Sequence, residues 1–129
     1  EVMQDYLLSI RVQIGQRLIA ANGGSGLSLE LGDEKGALAV VFPEPSARRG
    51  YRVSFYDVNG PFTHEVFSSV DECVLHAIKR GYRTHAPGRL DQLADLPSWI
   101  RGVKWTSLLL RYQGNPHQFL LDNPNYLDS

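Results

Sequence analysis

The dipeptide Asn59-Gly60 separates two segments of alternating hydrophobicity, residues 51–58 and 62–67, and this arrangement constrains the fold more than any other feature of the sequence. A two-residue type I′ turn requires positive φ at both central positions, and asparagine and glycine are the residues that accept it most readily. The sequence therefore predicts a β-hairpin centred on this dipeptide.

The register that follows from this turn pairs Phe55 with His64 and Val53 with Val66. Because successive side chains of a strand point to opposite faces, the hairpin residues divide into two sets. The set predicted to face the core is Tyr51, Val53, Phe55, Phe62, His64 and Val66. The set predicted on the outer face is Arg52, Ser54, Tyr56, Thr63, Glu65 and Phe67.

A second pair of strands is predicted upstream of this hairpin. Residues 27–31 alternate between apolar and polar, residues 32–36 have the composition of a turn, and residues 37–42 form a continuous apolar run. The pattern predicts an edge strand, residues 27–31, paired with a more buried strand.

A helix is predicted directly after residue 67. Ser69 and Glu72 have the spacing of a capping box, in which the serine hydroxyl accepts a hydrogen bond from the Glu72 amide and the glutamate reaches back. Gly81 is predicted to end the helix in a left-handed cap. Leu75 is predicted to point about 140° away from the apolar face of this helix. That face comprises Val70, Cys73, Val74, Ala77 and Ile78.

The N-terminal segment Val2–Ala21 has helical periodicity, and the glycine-rich stretch at residues 22–24 is a strong stop signal. One stripe is predicted to meet the core and comprises Met3, Tyr6, Leu7, Ile10, Ile14, Leu18 and Ala21. A thinner stripe on the opposite side comprises Leu8, Val12, Gly15 and Ile19. This second stripe predicts that either the C-terminal segment or another chain covers the helix.

The C-terminal third has a weaker pattern. Residues 89–96 predict a short helix that ends at Pro97, residues 103–112 and 117–122 predict a second hairpin, and residues 123–129 predict a tail. The predicted fold class is α+β in a single domain, residues 1–129, with the helices packed on one face of an antiparallel sheet. The order helix, strands, helix, strands resembles, in architecture only, small bacterial effector chaperones and immunity proteins.

The composition predicts a soluble, cytoplasmic protein. No run approaches the roughly 20 apolar residues of a membrane-spanning helix. A single cysteine, Cys73, cannot form an intrachain disulfide, so the fold does not depend on an oxidising compartment. No membrane association and no cofactor are predicted.

Four reactive side chains lie close together in the sequence and raise the question of a metal or catalytic site: His64, Glu65, Cys73 and His76. Cys73 and His76 have the i, i+3 spacing that can converge on one metal ion, with His64 or His85 as a third ligand. A Cys73–His76 nucleophilic pair is a further alternative. We expect neither, because Cys73 lies in the apolar face of its helix; the chain is predicted not to be an enzyme. Glu65 paired with Glu72 or with Asp57 is a candidate acid and base, but Glu72 is explained by capping and Asp57 borders the hairpin turn.

Binding of nucleic acid or another anion by a basic segment is the second alternative function. Between residues 76 and 111 the chain has seven basic and two acidic residues. The candidate ligands for nucleic acid or another anion are Lys79, Arg80, Arg83, Arg89, Arg101, Lys104 and Arg111. Nucleic acid is not favoured as a partner, because the sequence pI is about 6.5.

The favoured hypothesis is a small protein-binding module that acts through apolar helix stripes and an aromatic, basic C-terminal segment. Tryptophan and exposed aliphatic side chains are the residue types that anchor protein interfaces. The predicted partner is another protein or a second copy in a homodimer. The predicted partner-binding residues are Leu8, Val12, Ile19, Leu75, Trp99 and Trp105.

Overall fold

The computed structural model describes residues 2–44, 50–111 and 116–124. In chain order the elements are α1 (Val2–Ala21), β1 (Glu30–Gly32), β2 (Leu38–Pro43), β3 (Tyr51–Asp57), β4 (Gly60–Phe67), α2 (Val70–Lys79), β5 (Thr84–His85), α3 (Arg89–Ala94), α4 (Pro97–Arg111) and α5 (Pro116–Asp122). The α+β class is confirmed: an N-terminal helix precedes a five-stranded antiparallel sheet, and further helices pack against that sheet. No helix among the described residues is long and apolar enough to cross a membrane.

The strand order in the sheet is β4-β3-β2-β1-β5. The upstream hairpin is confirmed, because β1 pairs with β2 in antiparallel register, with Leu31 opposite Ala39. The prediction that residues 27–31 form an edge strand is wrong, since β5 pairs with the other side of β1 and places His85 opposite Leu31. The short strand β5 gave no period-two signal, because two residues are too few to show one.

The β3–β4 hairpin is present, but its predicted register is wrong by one residue. The central turn residues are Val58 and Asn59, Asp57 pairs with Gly60, and only Gly60 has a positive φ, at 110°. An irregularity next to Phe55 then adds one residue to β4. The two effects together oppose Phe55 to Thr63 and Val53 to Glu65.

From Thr63 onward this slip exchanges the two faces of β4, since one residue of register moves every following side chain to the other side of a sheet. Glu65 and Phe67 therefore lie on the face that carries Val53 and Phe55, and His64 lies exposed on the opposite face. Phe62 keeps its predicted face, because its ring lies 6.3 Å from that of Phe55. The predicted core face is correct for β3 and for Phe62, and wrong for residues 63–67 of β4.

Helices pack on both faces of the sheet, not on one face as predicted. The larger core lies between the sheet and α1 and α2 and is built around Phe55, Leu31, Val53 and Ile78. A smaller core on the other face contains Leu38, Val40 and Leu93 from β2 and α3, with Trp99 of α4 packed against it. The Trp99 ring stacks on Tyr56 with a centroid separation of 5.5 Å.

Residues 97–111 and 116–122 are helices, so the predicted C-terminal hairpin is wrong. The predicted helix at residues 89–96 is confirmed as α3, but Pro97 begins α4 and does more than end α3. Helix α4 packs on the β3–β4 turn, where Ser98 donates a hydrogen bond to the Val58 carbonyl and Gly102 lies against the Asn59 backbone. Of the predicted tail, residues 125–129 lie outside the described residues.

Helix α2 and its Ser69 cap are confirmed, but the Glu72 carboxylate reaches back to Ser68 and not to the cap residue. The Ser69 hydroxyl accepts a hydrogen bond from the Glu72 amide at 3.1 Å, and the Glu72 carboxylate accepts one from the Ser68 hydroxyl at 2.9 Å. The C-terminal end has Gly81 at φ 102° and a bond from the Tyr82 amide to the Ala77 carbonyl. Both ends are therefore specified locally by sequence.

Candidate partner-binding surface

Helix α1 is twice as long as α2, the helix on which it packs, and this difference leaves its first half uncovered. Residues 2–10, which we call the α1 overhang, are all exposed. At about 1.5 Å per residue the overhang is roughly 14 Å long. Its exposed apolar side chains are Val2, Met3, Tyr6, Leu7, Leu8 and Ile10. The predicted core contact of Met3, Tyr6, Leu7, Ile10 and Ala21 is therefore wrong.

The second half of α1 packs on α2 with the side of the helix that lies between the two predicted stripes. Gly15 and Leu18 are buried, and Ile14 and Ile19 are half-buried. At 100° per residue these four side chains span an arc whose midline falls between the stripes. The stripes are thus the two borders of one wide apolar arc. The overhang continues this arc beyond the part that α2 covers.

Gly15 sets how closely the two helices approach. A Cβ atom at this position would lie 3.2 Å from Ile78 Cδ1 and 3.4 Å from Val74 Cγ1. Alanine therefore fits after a small movement of the Ile78 side chain, whereas a side chain larger than alanine would push the helices apart. Beside this contact the helices enclose a groove of about 200 Å³, which we call the α1–α2 groove. It is lined by apolar side chains from both helices and bordered by polar ones: Val12, Gly15, Ile19, Val74, Leu75 and Ile78, with Arg11, Gln16, Asp71 and Glu72.

Four of the six predicted partner-binding residues lie on this one surface. Val12, Ile19 and Leu75 line the α1–α2 groove, and Leu8 is in the overhang one turn before Val12, with 47% of its surface exposed. Leu75 does point away from the core face of α2, and the structure shows that it points toward α1.

The two tryptophans lie elsewhere. Trp99 belongs to the smaller core and stacks on Tyr56, so it holds α4 on the sheet. Trp105 is half-buried further along α4. The structure therefore does not bring the tryptophans to the surface formed by α1 and α2, which lie on the other face of the sheet.

The register slip brings together two residues that the sequence pattern separated. Glu65 Oε2 of β4 lies 3.0 Å from His76 Nε2 of α2, although the two atoms are not aligned as a hydrogen bond. The Arg80 guanidinium lies 3.4 Å from the other carboxylate oxygen and 5.8 Å from the centre of the Phe55 ring. Burial lowers the pKa of His76, and Arg80 lowers it further, whereas Glu65 acts in the opposite direction. This cluster ties α2 to the outermost strand of the sheet.

The alternative metal or nucleophilic site is not assembled. Cys73 is completely buried, and burial raises the pKa of its thiol to about 11, so only a very small fraction is thiolate near pH 7. His64 is on the opposite face of the sheet from His76, and His85 is at the far edge, in β5. The described part of the chain contains no group of three or more metal-ligating side chains.

The predicted anion-binding residues do not form one surface. Lys79, Arg80 and Arg83 lie at the end of α2, whereas Arg101 and Lys104 lie on α4, which packs on the other face of the sheet. Several have local roles instead: the Arg83 Nε donates to the Ile78 carbonyl at 3.0 Å, and the Arg89 guanidinium to the Gln92 side chain at 3.4 Å. The Arg111 side chain lies outside the described residues.

Sequence reasoning missed the polar border of the groove. Arg11 and Asp71 lie on it and carried no distinguishing pattern of their own. Gly15 does indicate the helix contact in the sequence, because a glycine in the interior of a helix, away from its ends, usually marks a close packing contact.

Comparison with known proteins adds no further constraint. No protein family model matches the sequence, and neither the curated proteins nor the solved structures contain a significant match. The functional argument therefore depends on the geometry described above.

Proposed function

We propose that this protein is a binding module without catalytic activity that docks a helical segment of another protein on the α1 overhang and the α1–α2 groove. The observation that carries the proposal is the overhang itself: six large apolar side chains are exposed within nine residues. Apolar surface of this kind on a soluble chain marks interaction sites, and burying each such side chain contributes roughly 1.5–3 kcal/mol.

The dimensions of the groove define the chemistry of the partner. A volume of about 200 Å³ accepts one large aliphatic or aromatic side chain. Its border has Arg11 on the α1 side and Asp71 and Glu72 on the α2 side. A partner with an acidic residue on one side of its apolar anchor and a basic residue on the other would therefore bind in one orientation, with its acidic residue toward α1 and its basic residue toward α2. An amphipathic helix meets both requirements, since anchors at i, i+3 and i+4 can lie along the groove and the overhang together.

A displayed library of random 16-residue peptides, selected for binding to the intact chain, tests this proposal. We expect enrichment of sequences that have apolar residues at helical spacing next to charged ones. Their binding should fall at least tenfold for Val12→Glu, which places a charge in the groove. Val58→Glu is the matched control, because Val58 is 45% exposed against 41% for Val12 and lies in the β3–β4 turn.

The proposal fails if no sequence is enriched, or if Val12→Glu and Val58→Glu bind the selected peptides equally well. Circular dichroism of both variants checks that each is folded. Strand-like peptides whose binding is insensitive to Val12→Glu would also contradict it, since they would bind at a sheet edge.

A further inference from the structure

We propose that Asn59 is a site of spontaneous deamidation in the folded chain, where it converts to aspartate and isoaspartate and loosens helix α4, whereas Asn22 is protected. These are the two asparagines that glycine follows in the sequence. The inference concerns the β3–β4 turn and does not depend on the proposed function.

Deamidation at Asn59 requires only the chain and water. The backbone nitrogen of Gly60 attacks Cγ of the Asn59 side chain and forms a new C–N bond, which closes a cyclic imide. The side-chain nitrogen leaves as ammonia and takes the proton that the Gly60 amide loses. Water then opens the imide at either carbonyl, and the product is aspartate or isoaspartate. Glycine favours the attack, because it has no Cβ to shield its nitrogen.

The two sites differ in what holds the asparagine carboxamide. Asn22 Nδ2 donates to the Ser25 carbonyl at 2.9 Å and to the Leu27 carbonyl at 3.3 Å. Ring closure at Asn22 must break both bonds, because this nitrogen is the leaving group. Asn59 is exposed, and no group among the described residues forms a hydrogen bond with its carboxamide. Its backbone amide donates to Asp57 Oδ1 at 2.8 Å, which leaves the side chain free to rotate.

Helix α4 controls access to the attacking nitrogen. Gly60 pairs with Asp57 at the turn end of the hairpin, and this end pair must open before the Gly60 amide can react. Gly102 lies against the Asn59 backbone, and Ser98 donates to the Val58 carbonyl, so α4 holds the end pair closed. Pairs at the end of a ladder open more readily than interior ones. Weaker packing of α4 should therefore speed the reaction at Asn59.

The product should in turn weaken the packing of α4. Isoaspartate carries the main chain through its side-chain carbon and so adds one atom to the backbone of the turn. Either product also places a second negative charge beside Asp57. The turn no longer matches the surface that Gly102 and Ser98 contact, so the stacking of Trp99 on Tyr56 loses its support.

Incubation of the intact chain at mildly alkaline pH, followed by peptide mapping with mass spectrometry, tests this inference. We expect conversion at Asn59 to be about fivefold or more faster than at Asn22, because ring closure breaks two side-chain hydrogen bonds at Asn22 and none at Asn59. In urea the two sites should react at similar rates, which shows that the fold causes the difference.

Two variants of the α4 contact test the control of the rate. Gly102→Ala and Ser98→Ala should each speed conversion at Asn59 and leave Asn22 unchanged. Gly15→Ala is the matched control, because it alters the contact of α1 with α2, and it should change neither rate. After incubation the wild-type chain should unfold at lower urea concentration than before, whereas Asn59→Ser, which has no carboxamide to lose, should not.

Three results would overturn the inference. The first is conversion of Asn22 in the folded chain as fast as that of Asn59. The second is an intact Asn59 in the folded chain after the time in which the urea-unfolded chain converts. The third is equal acceleration at both sites by Gly102→Ala and Ser98→Ala, which would mean that the reaction follows global unfolding and not the opening of the turn.

Discussion

Replacement of Gly102 by alanine tests how α4 packs on the sheet. A Cβ atom at this position would lie much closer to the Asn59 carbonyl oxygen than van der Waals contact allows. The obstacle is backbone within a tight turn, so it cannot move aside as a side chain can. Accommodating the methyl group requires α4 to shift by about 1 Å, which disturbs the stacking of Trp99 on Tyr56.

The expected size of the effect is a balance of two terms. Alanine is favoured over glycine in a helix interior by roughly 1 kcal/mol. Overpacking a tight contact typically costs about 1–3 kcal/mol and more where the neighbour is rigid. We expect a net loss of about 1–2 kcal/mol, which for a chain of this length lowers Tm by roughly 3–10 °C.

Urea unfolding followed by circular dichroism measures this loss. Gly15→Ala is the matched control, because it makes the same change inside a helix, but its Cβ would lie 3.2 Å from the flexible tip of Ile78. We expect Gly15→Ala to be close to neutral. If Gly102→Ala is as stable as the wild type, the packing of α4 on the Asn59-Gly60 turn is wrong.

Three further predictions concern other parts of the fold. Glu44→Gln should cost about 1–3 kcal/mol in urea unfolding, because Glu44 is 6% exposed and its carboxylate accepts two hydrogen bonds from Arg52 at 3.0 and 3.2 Å; an equal loss in the exposed control Glu34→Gln would contradict this. Ser69→Ala should lower stability by about 1 kcal/mol through loss of the helix cap, and Ser68→Ala by less. Burial lowers the pKa of His76 from 6.5, so the folded state favours the neutral imidazole. The urea midpoint should therefore fall as the pH drops below about 6.5, and a His76→Gln variant with the same pH dependence would refute that assignment.

The elements that sequence predicts best are those whose ends depend on local chemistry. Helix α2 begins at a serine cap and ends at Gly81 because each end satisfies its own backbone groups, and these bonds do not require the rest of the fold. The same holds for the end of α1 at residues 22–24. The ends of these two helices therefore do not depend on which residues pair in neighbouring strands.

The C-terminal error has a specific physical origin. Proline terminates the preceding helix, but its fixed φ and missing amide hydrogen also suit the first turn of the next one. Pro97 and Pro116 are the first residues of α4 and α5, although the sequence pattern marks Pro97 as the end of α3 and Pro116 as part of a hairpin turn. The apolar residues between them fit both a strand and a helix, and packing of Trp99 on the sheet decides in favour of the helix.

The candidate site was half predictable for a related reason. Hydrophobic periodicity identifies the apolar residues of α1. Which side of α1 packs on the rest of the domain depends on where Gly15 allows α2 to approach, and that contact is set by tertiary packing. Likewise, the Glu65–His76 contact depends on one extra residue in β4. A one-residue irregularity leaves no clear trace in an alternating pattern, yet it determines which side chains can meet.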